Sequence, residues 1–126
     1  MSAFENVKEI GNDAFKFCSA LGTAEFKVAE TIGERAFTDC TNLEYACFSE
    51  VKTIKSSAFL RCTSLKTINI ETVENIEKKA FEGCTNLKEI YTSDLLMAEK
   101  IREVLSEEQQ NKVKVYYKGE NGYIEI

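Results

Sequence analysis

One eight-residue phrase recurs at a fixed interval of 22 residues: "AFKFCSAL" at Ala14–Leu21, "AFTDCTNL" at Ala36–Leu43, "AFLRCTSL" at Ala58–Leu65 and "AFEGCTNL" at Ala80–Leu87. The interval extends beyond the phrase. Upstream, Val7, Ala29, Val51 and Val73 form one column, and Ile10, Ile32, Ile54 and Ile76 form another. Downstream stand Ala24, Ala46, Ile68 and Ile90, then Phe26, Phe48 and Ile70. The unit reads V-x-x-I-x-x-x-A-F-x-x-C-x-x-L-x-x-[AI]-x-[FI]-x-x. A gapless period of this length is the signature of a solenoid in which each unit is one coil. A lone coil has nothing to bury its apolar side chains against, so the entropy lost on ordering it goes uncompensated. Stacked coils bury one another's flanks and share ladder hydrogen bonds, and the array folds where one coil does not.

The spacing within the unit predicts its elements. In "LKTINI" (Leu65–Ile70), Ile68 and Ile70 alternate with Thr67 and Asn69, the period-two pattern of a strand with one buried face. Equivalent strands of successive coils then run parallel, about 4.8 Å apart. "VKTI" (Val51–Ile54) predicts a second, shorter extended piece on the opposite wall. "SSAFLRC" (Ser56–Cys62) carries Ala58, Phe59 and Cys62 at helical spacing, which predicts one or two turns of helix. The hydroxyl after each ladder cysteine (Ser19, Thr41, Thr63, Thr85) is expected to satisfy backbone groups in the bend before the strand. Lys8, Glu30, Lys52 and Glu74 alternate in sign along one column, consistent with attraction between neighbouring coils.

At 126 residues, with 44% apolar and 29% charged residues, the chain is long enough for one domain with a real core. A net charge of −5 opposes binding to a phosphate backbone, so no nucleic-acid partner is expected. No apolar run approaches the ~18 residues of a membrane span. "MSAFENVKEI" (Met1–Ile10) lacks the basic-then-apolar pattern of an export signal. There is no histidine, the commonest general base and neutral metal ligand, and no proline to interrupt a regular backbone.

The ladder cysteines, Cys18, Cys40, Cys62 and Cys84, are the obvious candidates for a metal or redox site. Zinc needs four converging ligands, usually from C-x-x-C pairs or with histidine; neither is present, and a linear column does not converge. Pleated parallel stacking also suits disulfide torsions poorly. The four are therefore read as compact wall residues with neutral thiols, fitting beside Phe15, Phe37, Phe59 and Phe81 where a larger side chain would overfill the coil. Cys47 lies outside the ladder and is expected to be the thiol most easily labelled. For catalysis, Asp13, Asp39 and Asp94 pair with no nucleophile in a known spacing, and no Gly-rich phosphate loop occurs. Gly11 and Gly33 share one repeat column and read as turn residues. No catalytic residue, metal or cofactor is assigned, and the chain is not read as an enzyme.

The outward strand positions remain. Thr23, Tyr45, Thr67 and Glu89 form one column, and Glu25, Cys47, Asn69 and Tyr91 a second. Together they make a flat grid in which two tyrosines stand among short polar side chains, the pattern of a protein-binding surface where rigid aromatics anchor and polar groups adapt.

The two ends differ from the repeat. Phe4 precedes Phe26 by 22 residues and Ser2 takes the place of Ala24, so the chain opens inside the strand of an earlier unit with no polar cap. Either further repeats precede it, or that open end is covered by self-association. At the other end Thr92 breaks the Phe26–Phe48–Ile70 column. "SDLLMAEKIREVLSEEQQ" (Ser93–Gln110) then predicts a helix with Ser93 as N-cap, Asp94 in its first turn, and a stripe of Met97, Ile101 and Leu105 with Ala98 and Val104. "KVKVYYK" (Lys112–Lys118) and "YIEI" (Tyr123–Ile126) alternate as strands around "GENG", a hairpin that extends the sheet or covers its edge. Residues 1–92 are expected to form the solenoid and residues 93–126 its capping helix and hairpin, within one structural domain.

The pattern I-x-x-x-A-F-x-x-C-x-x-L-x-x-I-x-I resembles the BspA-like leucine-rich repeats, common in bacterial surface proteins. The match covers about residues 2–92. It departs from the usual repeat in having no proline after the strand and a unit one residue shorter. The resemblance implies an α/β leucine-rich-repeat solenoid, here of four 22-residue coils with parallel strands, that binds other proteins, often in adhesion, and is not catalytic. The expected role is a protein-binding module of a larger surface or adhesion-type protein, working through the strand face with a protein ligand of unknown identity; the alternative is a structural spacer. A cell-surface or secreted location is suggested by the resemblance alone.

Overall fold

A computed structural model of the chain describes residues 2–126, the first two of them by backbone alone. In chain order the elements are β1 (Ser2–Phe4), β2 (Glu9–Ile10), β3 (Thr23–Phe26), β4 (Thr31–Ile32), β5 (Tyr45–Phe48), β6 (Thr53–Ile54), β7 (Thr67–Asn69), β8 (Asn75–Ile76), β9 (Glu89–Thr92), α1 (Leu95–Val104), α2 (Glu107–Lys112), β10 (Lys114–Gly119) and β11 (Gly122–Glu125). They form a seven-stranded sheet in the order β1-β3-β5-β7-β9-β10-β11 and a four-stranded sheet in the order β2-β4-β6-β8. Every pairing is parallel except β10 with β11. The register advances by 22 residues at each step of the repeat: Ala24 faces Ala46, Ala46 faces Ile68, and Ile68 faces Ile90. On the other wall Ile10, Ile32, Ile54 and Ile76 follow the same rule. The chain is thus a leucine-rich-repeat solenoid whose core lies between two walls of parallel strands.

Two files of phenylalanine rings fill that core. Phe15, Phe37, Phe59 and Phe81 stack at centroid separations of 5.1, 5.1 and 5.7 Å, and Phe4, Phe26 and Phe48 at 4.4 and 5.3 Å. The files meet edge to face, as between Phe37 and Phe48 at 5.9 Å. The ladder cysteines run beside them in single file as free thiols. They also do something the sequence reading missed. The thiols of Cys40, Cys62 and Cys84 donate at 3.0 Å to the carbonyls of Phe15, Phe37 and Phe59, each 25 residues back in the coil beneath. Burial pushes the Cys40 thiol up to about 12. The adjoining Cys84 thiol and burial raise that of Cys62 as well.

The segment expected to be helical is a run of turns. Ser57 (φ 58°) and Arg61 (φ 57°) adopt the left-handed conformation, as do Asp13, Arg35 and Lys79 in the first column and Phe17, Asp39 and Gly83 in the second. Left-handed residues at this spacing exclude a right-handed helix. Hydrogen bonding gives the reason. The amides of Phe37 and Asp39 donate to the carbonyls of Ala58 and Leu60 in the next coil, while those of Thr38 and Cys40 close turns onto Arg35 and Phe37. A helix would keep its amides inside its own coil; these turns hand every second one to the neighbour.

Two smaller expectations also change. Among the described residues the hydroxyls after the ladder cysteines make no hydrogen bond in the bend; in two coils the next side chain does, Asn42 Nδ2 donating to the Ser19 carbonyl at 2.6 Å and Asn86 Nδ2 to that of Thr63 at 2.8 Å. A planar amide reaches across to the neighbouring coil where a short hydroxyl does not. The Lys8–Glu30–Lys52–Glu74 column stacks through backbone hydrogen bonds. The ion pairs between coils lie elsewhere, at Lys27–Glu5, Arg35–Asp13, Arg61–Asp39 and Lys66–Glu44.

After β9 the chain leaves the repeat. Thr92 is fully buried in the phenylalanine column, and its hydroxyl has no partner among the described residues. Asp94, one residue later than expected, caps α1 by accepting the Met97 amide at 2.9 Å. Met97, Ala98, Ile101 and Leu105 are buried as the stripe requires; Val104 is half-buried. The stretch read as one helix is two, because Ser106 and Gln109 form a capping box that starts α2. The Gln109 side-chain amide, itself buried, donates to the Phe81 carbonyl at 2.8 Å. β10 then extends the main sheet in parallel beside β9, and β11 folds back along it.

Candidate functional site

The outward face of the long sheet is built by the pleat: alternate residues of each strand point away from the core. Parallel register brings the candidate residues into two rows. Thr23 faces Tyr45, Tyr45 faces Thr67, and Thr67 faces Glu89; Glu25, Cys47, Asn69 and Tyr91 follow alongside. Tyr45 is 36% exposed, and the other seven are half-buried. Thr67 Oγ1 donates to Glu89 Oε1 at 3.3 Å, tying the two rightmost strands of the grid together.

The hairpin enlarges this face and covers part of it. Tyr116, which faces Tyr91 across β9 and β10, stacks on it with ring centroids 5.0 Å apart. Tyr123 on β11 meets Tyr91 edge-on at 4.8 Å. Its hydroxyl donates to Glu71 Oε2 at 2.6 Å, and Asn69 Nδ2 donates to the same oxygen at 3.0 Å. Lys118 Nζ lies 3.9 Å from the other oxygen. These donors, Tyr123 first, hold the Glu71 carboxyl below its ordinary value despite partial burial. The same bond is the main reason the Tyr123 hydroxyl is pushed up to about 12. Tyr45 is also pushed to about 12, by burial first and then by Cys47 and Glu25.

Tyr45 on one side and Tyr91 with Tyr123 on the other flank a shallow depression of about 270 Å³, floored by Thr67 and Asn69. Its chemistry is that of recognition: aromatic faces, a hydroxyl, an amide and nearby carboxylates. Tyr116, Tyr123, Glu71 and Lys118 were not among the residues singled out from the sequence. The alternation in "KVKVYYK" puts Lys114 and Tyr116 on one face, but only the observed pairing of β10 with β9 makes it the same face as Tyr91. Among the described residues no helix is long and apolar enough to cross a membrane.

A family model described as a BspA type leucine rich repeat region (6 copies) matches residues 1–104. A solved structure of a T. pallidum leucine rich repeat protein is similar, at 22% identity and a TM-score of 0.44 over 66% of this chain and 51% of that one. This chain therefore spans about half the length of that protein. Comparison with curated proteins gives no match. By the extent of the family match, and by the repeat that carries it, the chain belongs to the BspA-type leucine-rich-repeat family.

Proposed function

We propose that this chain is a non-catalytic protein-binding module, part of a larger surface or adhesion-type protein, that engages a protein ligand through the outward face of its long sheet. Residues 1–92 are the solenoid that carries the face, and residues 93–126 are its cap within the same structural domain. The single observation that supports this most is the aromatic cluster on that face: Tyr45 open to solvent, and Tyr91, Tyr116 and Tyr123 packed together beside it. Rigid aromatics amid adaptable polar side chains are what protein-binding surfaces use.

Affinity capture on immobilised protein tests it. Wild type is compared with a Tyr45→Ala/Tyr91→Ala double variant and with Lys52→Ala, which lies beside β6 on the opposite wall. Loss of bound protein in the double variant alone, at unchanged stability in urea, supports binding through the grid. Equal capture by all three, or by none, supports the spacer. Protease accessibility on intact cells tests the surface location.

A second reading, self-association through the first coil, has its own support. Phe17 is 64% exposed there, and Phe4, Val7, Phe15 and Cys18 are half-buried, whereas Phe37 and Cys40 one coil later are fully buried. Sedimentation equilibrium of wild type and Phe17→Asp reads this directly: a concentration-dependent dimer in the first and a monomer in the second is the expected pair.

A further inference from the structure

The depression on the strand face has a chemistry more specific than general protein binding. Tyr45 stands on β5 and Tyr91 on β9, strands two spacings or about 10 Å apart, and the two are offset diagonally by two residues, with β7 between them supplying Thr67 and Asn69 as floor. Tyr123 closes the Tyr91 side edge-on. The walls are therefore aromatic, the space between them admits a flat group, and the floor is polar.

Charge then selects among flat groups. Glu89 adjoins the floor through its bond with Thr67, and no cation lies within ion-pair distance of it among the described residues. Its cross-strand neighbour Lys114 sits 4.0 Å from Glu125 instead. Glu25 borders Tyr45 from the other side, one strand away on β3. Glu71 lies beyond Asn69, though Tyr123, Asn69 and Lys118 already compensate it. An aromatic-walled, carboxylate-rimmed depression attracts a cation through both the ring quadrupoles and the charges. A guanidinium suits it better than an ammonium: it is planar, stacks on rings, is weakly hydrated, and keeps its donors in plane to reach Thr67 and Glu89.

We infer that the depression between Tyr45, Tyr91 and Tyr123 receives the guanidinium of an arginine side chain on the protein partner, an assignment that rests on the strand-face reading and deepens it. The raised hydroxyl of Tyr91, held up by burial and then by Glu89, agrees with a negative local potential.

The test is a titration of isotope-labelled protein, followed by NMR, with N-acetyl-arginine methylamide and with its citrulline, lysine and phenylalanine counterparts. Methyl glucopyranoside is added as a neutral ring that also stacks on tyrosine. The expected result is saturable shifts from the arginine probe at the rings of Tyr45, Tyr91 and Tyr123 and at the Asn69 side-chain amide. Tyr45→Phe keeps the ring face and retains the shifts; Tyr45→Ala and Glu89→Gln each weaken binding by about two- to fivefold. The citrulline, lysine, phenylalanine and sugar probes bind more weakly than arginine. Equal binding by any of them overturns the guanidinium assignment, as do arginine shifts centred on a separate groove that Glu30, Glu50 and Glu74 line together with Lys52 and Lys100. The two levels fail separately. If Tyr45→Ala abolishes partner capture and the arginine probe gives no saturable shift, the guanidinium is wrong and the strand face stands. If the arginine probe saturates the site and partner capture ignores Tyr45→Ala, the strand-face reading is wrong.

Discussion

The side-chain amide of Gln109 donates to the Phe81 carbonyl at 2.8 Å, in the place where, one coil earlier, the Cys84 thiol donates to the Phe59 carbonyl at 3.0 Å. The cap thus completes a ladder that the repeat alone would leave open at its last rung. Gln109→Leu keeps the volume but removes this donor together with the Oε1 acceptor of the Ser106 amide, and leaves the Phe81 carbonyl with the Cys84 amide alone. A loss of about 1–3 kcal/mol is expected, read as a lower urea midpoint at unchanged slope.

Within the ladder, Cys62→Ala removes a buried thiol and its bond to the Phe37 carbonyl without disturbing the phenylalanine file. The variant should fold and lose about 1–2 kcal/mol. Failure to fold, or zinc found bound to the wild type, would sink the view of this column as wall material.

The left-handed turn positions make opposite predictions at two neighbouring sites. Lys79 has φ 63° and an exposed side chain, so Lys79→Gly relieves a conformational cost and should raise stability by up to about 1 kcal/mol. Gly83 has φ 78°, and a β-carbon there would stand 3.0 Å from Arg61 Cγ. Gly83→Ala should lower the thermal midpoint, whereas Lys79→Gly raises it.

Thr92 occupies a fully buried place in the phenylalanine column, with its hydroxyl unpartnered. Thr92→Val preserves the shape and removes the stranded polar atom, and should add about 1 kcal/mol in urea denaturation. An unchanged or lower midpoint would mean that the hydroxyl finds a partner in solution.

Glu71 acts on the acid limit of stability, and Cys40 acts on the alkaline limit together with Cys62, Tyr45 and Tyr123. Glu71 titrates below its ordinary value of 4.5 in the folded chain, so its contribution is complete above that pH and is lost as pH falls through the folded value. Tyr123→Phe should flatten that acid limb. The Cys40 thiol is raised from 9.0 to about 12, so the unfolded chain gives up its proton first and stability falls between those values. Cys40→Ala should make the alkaline limb shallower by that one proton, leaving the share of Cys62, Tyr45 and Tyr123. Urea midpoints across the pH range check both.

Much of this was legible in the sequence because the period is strict: strand positions, register and inward columns follow once Phe26, Phe48 and Ile70 are aligned. The turns were not, since the spacing of Ala58, Phe59 and Cys62 fits a helix equally well. What decides between them is the destination of the amides, which lies in the next coil. Ser106–Gln109 carried a readable capping-box signal that would have split the C-terminal helix. On the candidate face, the eight grid residues come from periodicity. Tyr116 and Tyr123 join them through a hairpin placement that no local pattern specifies.

The strand register and the ring files link each residue to its counterpart in the adjoining coil, and the thiol bonds repeat the same link from coil to coil. A gene duplication that copies one whole unit therefore inserts a coil that meets familiar neighbours above and below, and nothing already present has to repack. Length is a free evolutionary variable for such a chain. Its outward side chains can diverge one rung at a time, so recombination enlarges the recognition surface and point mutation then rewrites it.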